Sequence, residues 1–387
     1  MTCYHCTRGE DEGGAAASNI QHPDHRQQDL TANASFIQKM SPIKDFTLTY
    51  ELPNPDDIFS EGDTVTGTVR FILTKEIKVK KLLVKLKGDA HVHWTQGSGD
   101  HKKSYSASRR YFKVKEHLVE ENATDTVLSE GPNEFKFSLQ IPQDDLPSSY
   151  KDPHGKIVYM LEAKLSRSWH FATKSQTELK LASKSLAHHG RMMFPHSGSV
   201  DKDIGVFSKG QVQMSATIDR SVCSPGDTLS IVAKISNCSS KKMKPKFSLQ
   251  QKIEYNAGNG KKVCDSSLCK IVGETIQVNA EETVTCPMEI PANVVGTIHN
   301  CEILSLEYYL KVYLDISFAV DPEVVFPLVI IPSVMRSYQT GADAASCYGA
   351  FPHPPLPDGL HPSDPFAYGY PEPEPTEAAN TSGFNNQ

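Results

Sequence analysis

The sequence has no long apolar run. Its best stretch, VVFPLVIIP at 324–332, is about half the ~20 residues a helix needs to span a bilayer. The first residues, MTCYHCTRGEDEGG, lack the apolar core of a secretory signal. Both absences argue for a cytosolic chain. There, nine irregularly spaced cysteines are expected as thiols rather than a disulfide frame. The Asn-x-Ser/Thr triplets at Asn33, Asn122, Asn237 and Asn380 are expected as chance matches. A surplus of base is missing too: 40 Lys and Arg face 46 Asp and Glu, for a net charge of −6. That argues against nucleic-acid binding, which favours a strongly basic domain. The acidity sits at the ends, with six acids against Arg336 alone in 332–387.

Signatures of chemistry are also absent. There is no G-x-S-x-G, H-E-x-x-H, Walker loop or G-x-G-x-x-G, so no enzyme is expected. Gly258-Asn259-Gly260-Lys261-Lys262 lacks the first glycine and the Ser/Thr of a phosphate loop and reads as a hairpin loop. His91 and His93 share one strand face near His101, but no acid or cysteine joins them at ligand spacing. They read as an exposed polar face. Cys3-x-x-Cys6 has no second pair, and Cys264 and Cys269 flank a polar stretch. No cofactor or metal is expected.

What the sequence does contain is itself, twice. FSEGDTVTGTVRF at 59–71 matches CSPGDTLSIVAKI at 223–235, with Gly62-Asp63-Thr64 falling on Gly226-Asp227-Thr228. Further on, FKFSLQIP at 135–142 matches TVTCPMEIP at 283–291. Tyr159, Leu161, Ala163 and Leu165 then fall on Tyr308, Leu310, Val312 and Leu314. The offset is 164 at the first anchor and 149 at the other two, which puts extra residues in the first copy around 95–120. Each repeated stretch alternates with period two: Val65, Val69, Phe71 and Leu73 oppose Thr64, Thr66, Thr68 and Arg70. That is the pattern of a half-buried antiparallel strand. Gly, Pro, Asn and Asp punctuate short strands throughout, and no long helical period appears.

The expected architecture is all-β, two tandem antiparallel β-sandwiches of immunoglobulin-like character at 43–183 and 205–332. A His-, Ser- and Gly-rich joint at 184–204 would connect them. Residues 1–42, poor in apolar side chains, are expected to be disordered, with Met40 a possible start of a shorter product. Residues 333–387 form a Pro-rich acidic tail that cannot bury a core and is expected to stay extended.

Several separated phrases carry a resemblance: GDTVTGTV, IKVKKLLVKLKGDAHVHWTQ, NCSSKKMKPKFSLQQKIEYNA, LEYYLKVYLDI and FPLVIIP. Together they resemble the α-arrestins, the arrestin domain-containing proteins, across about 43–332. The resemblance implies an arrestin-like fold and an adaptor rather than an enzyme. It implies a cytoplasmic protein, peripheral at plasma membrane and endosomes, that binds membrane-protein cargo through its folded domains. Its tail would recruit trafficking and ubiquitination machinery. Most relatives carry Pro-Pro-x-Tyr motifs that dock WW domains of ubiquitin ligases. This chain has none: the one Pro-Pro pair is Pro354-Pro355, and Pro357 stands where the tyrosine belongs.

Three tail phrases remain as candidates. Pro354, Pro355, Leu356 and Pro357 form a polyproline segment resembling a WW or SH3 ligand, or else a stiff spacer. Asp364-Pro365-Phe366 resembles a motif read by clathrin adaptors, and Tyr348 with Phe351 a Tyr-x-x-bulky endocytic signal. Ile303-Leu304-Ser305-Leu306-Glu307 imitates a clathrin box but reads as core packing. In the folded part, Lys81, Lys85 and Lys87, with Arg109 and Arg110, form a possible basic surface. It would attract lipid headgroups or acidic cargo tails, or be an ordinary solvated face. The alternatives to an adaptor are a structural endosomal coat scaffold and a small-ligand or metal-binding β-sandwich.

Overall fold

The computed structural model describes residues 41–120, 125–185, 194–203 and 210–332. No α-helix occurs among them, and therefore none long and apolar enough to cross a membrane. The first domain has eleven strands: β1 (Ile43–Tyr50), β2 (Ile58–Phe59), β3 (Thr64–Leu73), β4 (Ile77–Val79), β5 (Lys81–Gln96), β6 (Lys103–Val119), β7 (Thr126–Leu128), β8 (Gly131–Gln140), β9 (Tyr150–Lys151), β10 (Gly155–Ser166) and β11 (Thr173–Leu181). The second has nine: β12 (His196–Asp203), β13 (Gly210–Ile218), β14 (Val222–Cys223), β15 (Thr228–Ser239), β16 (Lys244–Ala257), β17 (Gly260–Val272), β18 (Ala280–Glu289), β19 (Leu304–Asp315) and β20 (Glu323–Ile330).

The repeat read from the sequence is a repeat of topology. Order β1-β3-β8 in one sheet of the first domain matches β13-β15-β18 in the second. Order β2-β11-β10-β5-β6 matches β14-β20-β19-β16-β17. Even the short parallel pairings recur, Lys180 beside Ile58 and Val222 beside Val329. The strands meet in antiparallel registers that bury one face. Val65, Val69, Phe71 and Leu73 are at most 2% exposed, while Thr64 and Arg70 face solvent. The extra residues of the first copy lengthen its β5–β6 hairpin, Lys81–Val119 against Lys244–Val272, and the connection that follows it. Gly258 and Asn259 turn the second hairpin, with Gly258 at φ +57°. Leu304 and Leu306 are fully buried in β19, so the clathrin-box lookalike is packing.

The two sequence anchors touch each other, in both domains alike. Gly62 and Gly226 both sit at φ +84°, a conformation that disfavours any side chain. Asp63 Oδ2 accepts the backbone N–H of Ser60 at 2.8 Å, and Asp227 Oδ2 that of Ser224 at 2.9 Å. Between neighbouring strands of one sheet, the Ile141 N–H donates to the Asp63 carbonyl, and the Ile290 N–H to that of Asp227, each at 2.8 Å. The Gly-Asp turn is thus the partner of the Ile-Pro corner. A third device also repeats. Tyr159 and Tyr308 are buried, and each hydroxyl donates to a backbone carbonyl at 2.6 Å, of Pro147 and Val295. Burial pushes the Tyr308 phenol up to about 12 and the Tyr159 phenol higher still.

One expectation needs correction. The stretch 184–204 is not simply a joint: residues 196–203 form strand β12, paired along its whole length with β13. HSGSVDKD offers no β-branched run and one large apolar residue, so its strand character is invisible locally. It is an edge strand ordered by its neighbour's register and by β20, where the Val324 and Phe326 side chains lie over Gly198.

Candidate interaction surfaces

The two domains meet end to end, and chemistry concentrates at this joint. Trp94, near the end of β5, stacks on Tyr105 with ring centroids 5.2 Å apart and meets Tyr255 of β16 at 6.5 Å. The Tyr255 hydroxyl donates to Asp152 Oδ2, which also receives the Tyr150 hydroxyl at 2.8 Å. Asp152 Oδ1 accepts the backbone N–H groups of His154 (2.8 Å) and Gly155 (2.6 Å). One carboxylate therefore holds a turn of the first domain and a tyrosine of the second. Burial first, then the hydrogen bond to Asp152, raises the Tyr255 phenol far above its ordinary value. Gly155 opens β10 against the start of β19: a Cβ there would lie 2.5 Å from Leu304 Cδ1.

Two more ties cross the joint. The Asn300 side-chain amide donates to Asp145 Oδ1 at 2.7 Å and to the Leu146 carbonyl at 3.0 Å. Arg109 pairs with Glu302 at 3.2 Å. Tyr111 is half-buried with its hydroxyl inside beside Cys301 and Glu302, its phenol raised by burial and by the neighbouring thiol. None of these interdomain residues except Arg109 is marked in the sequence. A tyrosine or asparagine that reaches another domain carries no local signature.

The cations expected to form a basic surface divide between jobs. Leu82, Val84 and Leu86 are fully buried, and Lys81, Lys85 and Lys87 line the opposite face. Cross-strand register adds Lys115 beside Lys85 and Lys113 beside Lys87. Acids are set among them. Lys85 pairs at 2.8 Å with Glu162, a carboxylate only 7% exposed. Burial opposes the Glu162 charge, but Lys85, helped by Lys174 and Lys87, outweighs it and holds the carboxyl below its ordinary value. Asp89 receives Arg110 at 2.7 Å and Lys87 at 3.6 Å. Arg109 belongs to the joint instead. What remains is a lysine-rich sheet face with internal counter-charges, not one continuous five-residue patch.

His91 and His93 turn to cross-strand serines, Ser108 at 2.8 Å and Ser104 at 3.0 Å. Among the described residues, no three His, Cys, Asp or Glu side chains converge as a metal site would require. Six described cysteines are free thiols. Tyr348, Phe351, Pro354 to Pro357 and Asp364 to Phe366 lie outside the described residues.

A pair of sandwiches with one strand order, joined through a tyrosine–carboxylate contact, defines a tandem β-sandwich protein of repeated topology. Family comparison agrees. Residues 48–185 match the arrestin (or S-antigen) N-terminal domain and residues 208–334 the arrestin C-terminal domain. The chain is 26% identical over 298 residues to arrestin domain-containing protein 4 of Mus musculus, covering 74% of this chain and 72% of that protein. The human form is 27% identical over 283 residues, 70% and 68% of the two chains. Thioredoxin-interacting protein of Sus scrofa is 25% identical over 292 residues, 74% of each. The chain belongs to the α-arrestin family and is an arrestin-type adaptor.

Proposed function

We propose that this adaptor works in the cytoplasm, peripheral to plasma membrane and endosomes, and links membrane-protein cargo to trafficking machinery. The folded domains take the cargo, a receptor or transporter, and the tail recruits the machinery for endocytosis, endosomal sorting or protein transport. The observation that carries this reading is the division of the chain. The described part is a two-domain body in which no described residues cluster as a metal site would. It presents Lys81, Lys85, Lys87, Lys113 and Lys115 on one sheet. Such a face suits acidic cytosolic segments and anionic headgroups. The tail offers Pro354 to Pro357 to WW or SH3 domains, and Asp364 to Phe366 and Tyr348 with Phe351 to clathrin adaptors. Each contact would be weak alone, with avidity at a membrane supplying the rest. Without Pro-Pro-x-Tyr, contact with a ubiquitin ligase has to run through Pro354 to Pro357 or an intermediary.

Proximity labelling of the full chain and of a chain lacking 341–387 tests the division. Loss of WW-domain proteins and clathrin adaptors, with cargo retained, supports it. An unchanged set of neighbours refutes the tail assignment and favours a coat scaffold.

A further inference from the structure

The hairpin between β10 and β11 carries an exposed aromatic tip. Trp169 is fully exposed and Phe171 is 95% exposed. Trp169 also sits at φ +61°, which is an outlier for a bulky side chain. Such a conformation is strained and persists where the surroundings impose it. Here they do. Ser168 Oγ donates to Asp125 Oδ2 at 2.9 Å, His170 Nδ1 lies 2.7 Å from the Ser168 carbonyl, and the Lys80 N–H donates to the Ser166 carbonyl at 2.9 Å. The turn is pinned from below while its aromatic side chains stay in water.

The second domain repeats the feature at the 149-residue offset. Phe318, at φ +59°, stands where Trp169 does, and Val320 where Phe171 does, both exposed. The charges around the two tips differ. The first tip is flanked by Lys164, Arg167 and Lys174 on its own hairpin, by Lys78 of β4 and by Lys80 in the bend that follows it, against Asp125. The second is of mixed charge: Asp315 pairs with Lys246 and Glu323 with Lys311, with Asp321 beside them and Lys241 held on the Ser317 carbonyl. Tryptophan prefers the headgroup level of a bilayer, and clustered cations are drawn to anionic lipid.

We propose that the β10–β11 tip is a lipid-contacting element: Trp169 and Phe171 insert at the headgroup level of an anionic bilayer, and the surrounding lysines and Arg167 meet its phosphates. The tip lies at the end of β10 away from the domain joint, since Gly155 opens that strand at the joint and Ser166 ends it. Insertion therefore leaves the joint and the lysine-rich sheet face accessible. The inference rests on the peripheral membrane contact proposed above and names the segment that makes it.

The chain supplies its own probe. It has two tryptophans, and Trp94 is buried at the joint while Trp169 is exposed. Full-length protein is mixed with phosphatidylcholine vesicles, with and without phosphatidylserine and with brominated acyl chains. Expected are binding that depends on phosphatidylserine, a blue shift of the emission and quenching by the brominated lipid. In Trp169→Phe the quenching disappears while binding persists. Trp169→Ala/Phe171→Ala binds on the order of 100-fold more weakly, the loss expected if much of two aromatic side chains is withdrawn from water. Its thermal melt should match the wild type, because both residues are exposed. Wild-type binding without quenching, or undiminished binding by the double variant, overturns the tip and leaves membrane contact to the lysine face. No vesicle binding by the wild type overturns both. Concentration-dependent self-association that the double variant abolishes, without vesicle binding, assigns the tip to a second copy and refutes the lipid role.

Discussion

Replacing Tyr255 with phenylalanine removes one oxygen atom from the domain joint and nothing else. In the native joint that hydroxyl donates to Asp152 Oδ2 while the ring packs beside Trp94 and against the edge of His154. Hydrogen bonds to charged groups contribute about 1.5–3 kcal/mol net. Asp152 keeps the Tyr150 hydroxyl and two backbone N–H groups in the variant, so its charge is not stranded. The lower half of the range therefore applies, about 1.5–2 kcal/mol, a shift of about 10- to 30-fold in the docking equilibrium. Trp94, 3% exposed, reports on that equilibrium. Urea titration of the full chain, followed by Trp94 emission in a Trp169→Phe background, should show the joint opening at lower denaturant. Asp152→Asn combined with Tyr255→Phe should cost less than the sum of the two, because both remove the same bond. An unshifted transition, or strict additivity, would mean that the Tyr255–Asp152 contact does not hold the domains. The raised Tyr255 pKa adds a pH signature. A phenol raised on folding contributes stability that is complete below about pH 10 and is lost as pH climbs from there toward the folded-state value. Tyr255→Phe should flatten that alkaline loss.

Three other outcomes are expected. Lys85→Met leaves Glu162 buried without its nearest cation and should destabilise the first domain by about 3 kcal/mol at neutral pH, with Lys85→Met/Glu162→Gln recovering most of it in a denaturant melt. The native pair's contribution is present above the ordinary glutamate range and lost as pH falls through the depressed Glu162 value, so acidification should narrow the gap between wild type and Lys85→Met. Gly62→Ala and Gly226→Ala, both at φ +84°, should each lower stability by about 1 kcal/mol, read as a fall in melting temperature of the domain concerned. Exposed Cys238 should react with a thiol reagent well before Cys223 and Cys286, whose thiols burial pushes up to about 11; equal rates under native conditions would contradict their burial.

Much of the fold was legible because it is written twice. Gly62-Asp63 and Ile141-Pro142 look like unrelated phrases until Gly226-Asp227 and Ile290-Pro291 repeat them, and the hydrogen bonds from Ile141 to Asp63 and from Ile290 to Asp227 show why they travel together. Alternation placed Leu82, Val84 and Leu86 inside for the same reason: a period of two is a geometric consequence of the pleat. Strand β12 was missed because its order comes from β13 and β20, not from its own side chains. The joint was missed because Tyr255 meets Asp152, and Asn300 meets Asp145, across more than a hundred residues of chain, and nothing in their immediate neighbours marks them. The basic surface was half legible. Periodicity gave the face, with Asp89 on the same strand, but Glu162, which divides it, arrives by cross-strand register.

The head-to-head meeting of Gly155 and Leu304 has a mechanical consequence. From that point β10 and β19 lead into hydrogen-bonded sheets, each a ladder along which load is shared by many bonds. The joint between them is held by a few side chains. A pull applied across the two far ends, as by a cargo anchored in one place and a carrier moving in another, would concentrate at Asp152, Tyr255 and Asn300. Under tension the molecule would yield there first, as two intact blocks on a tether, and would reseat when the force is released.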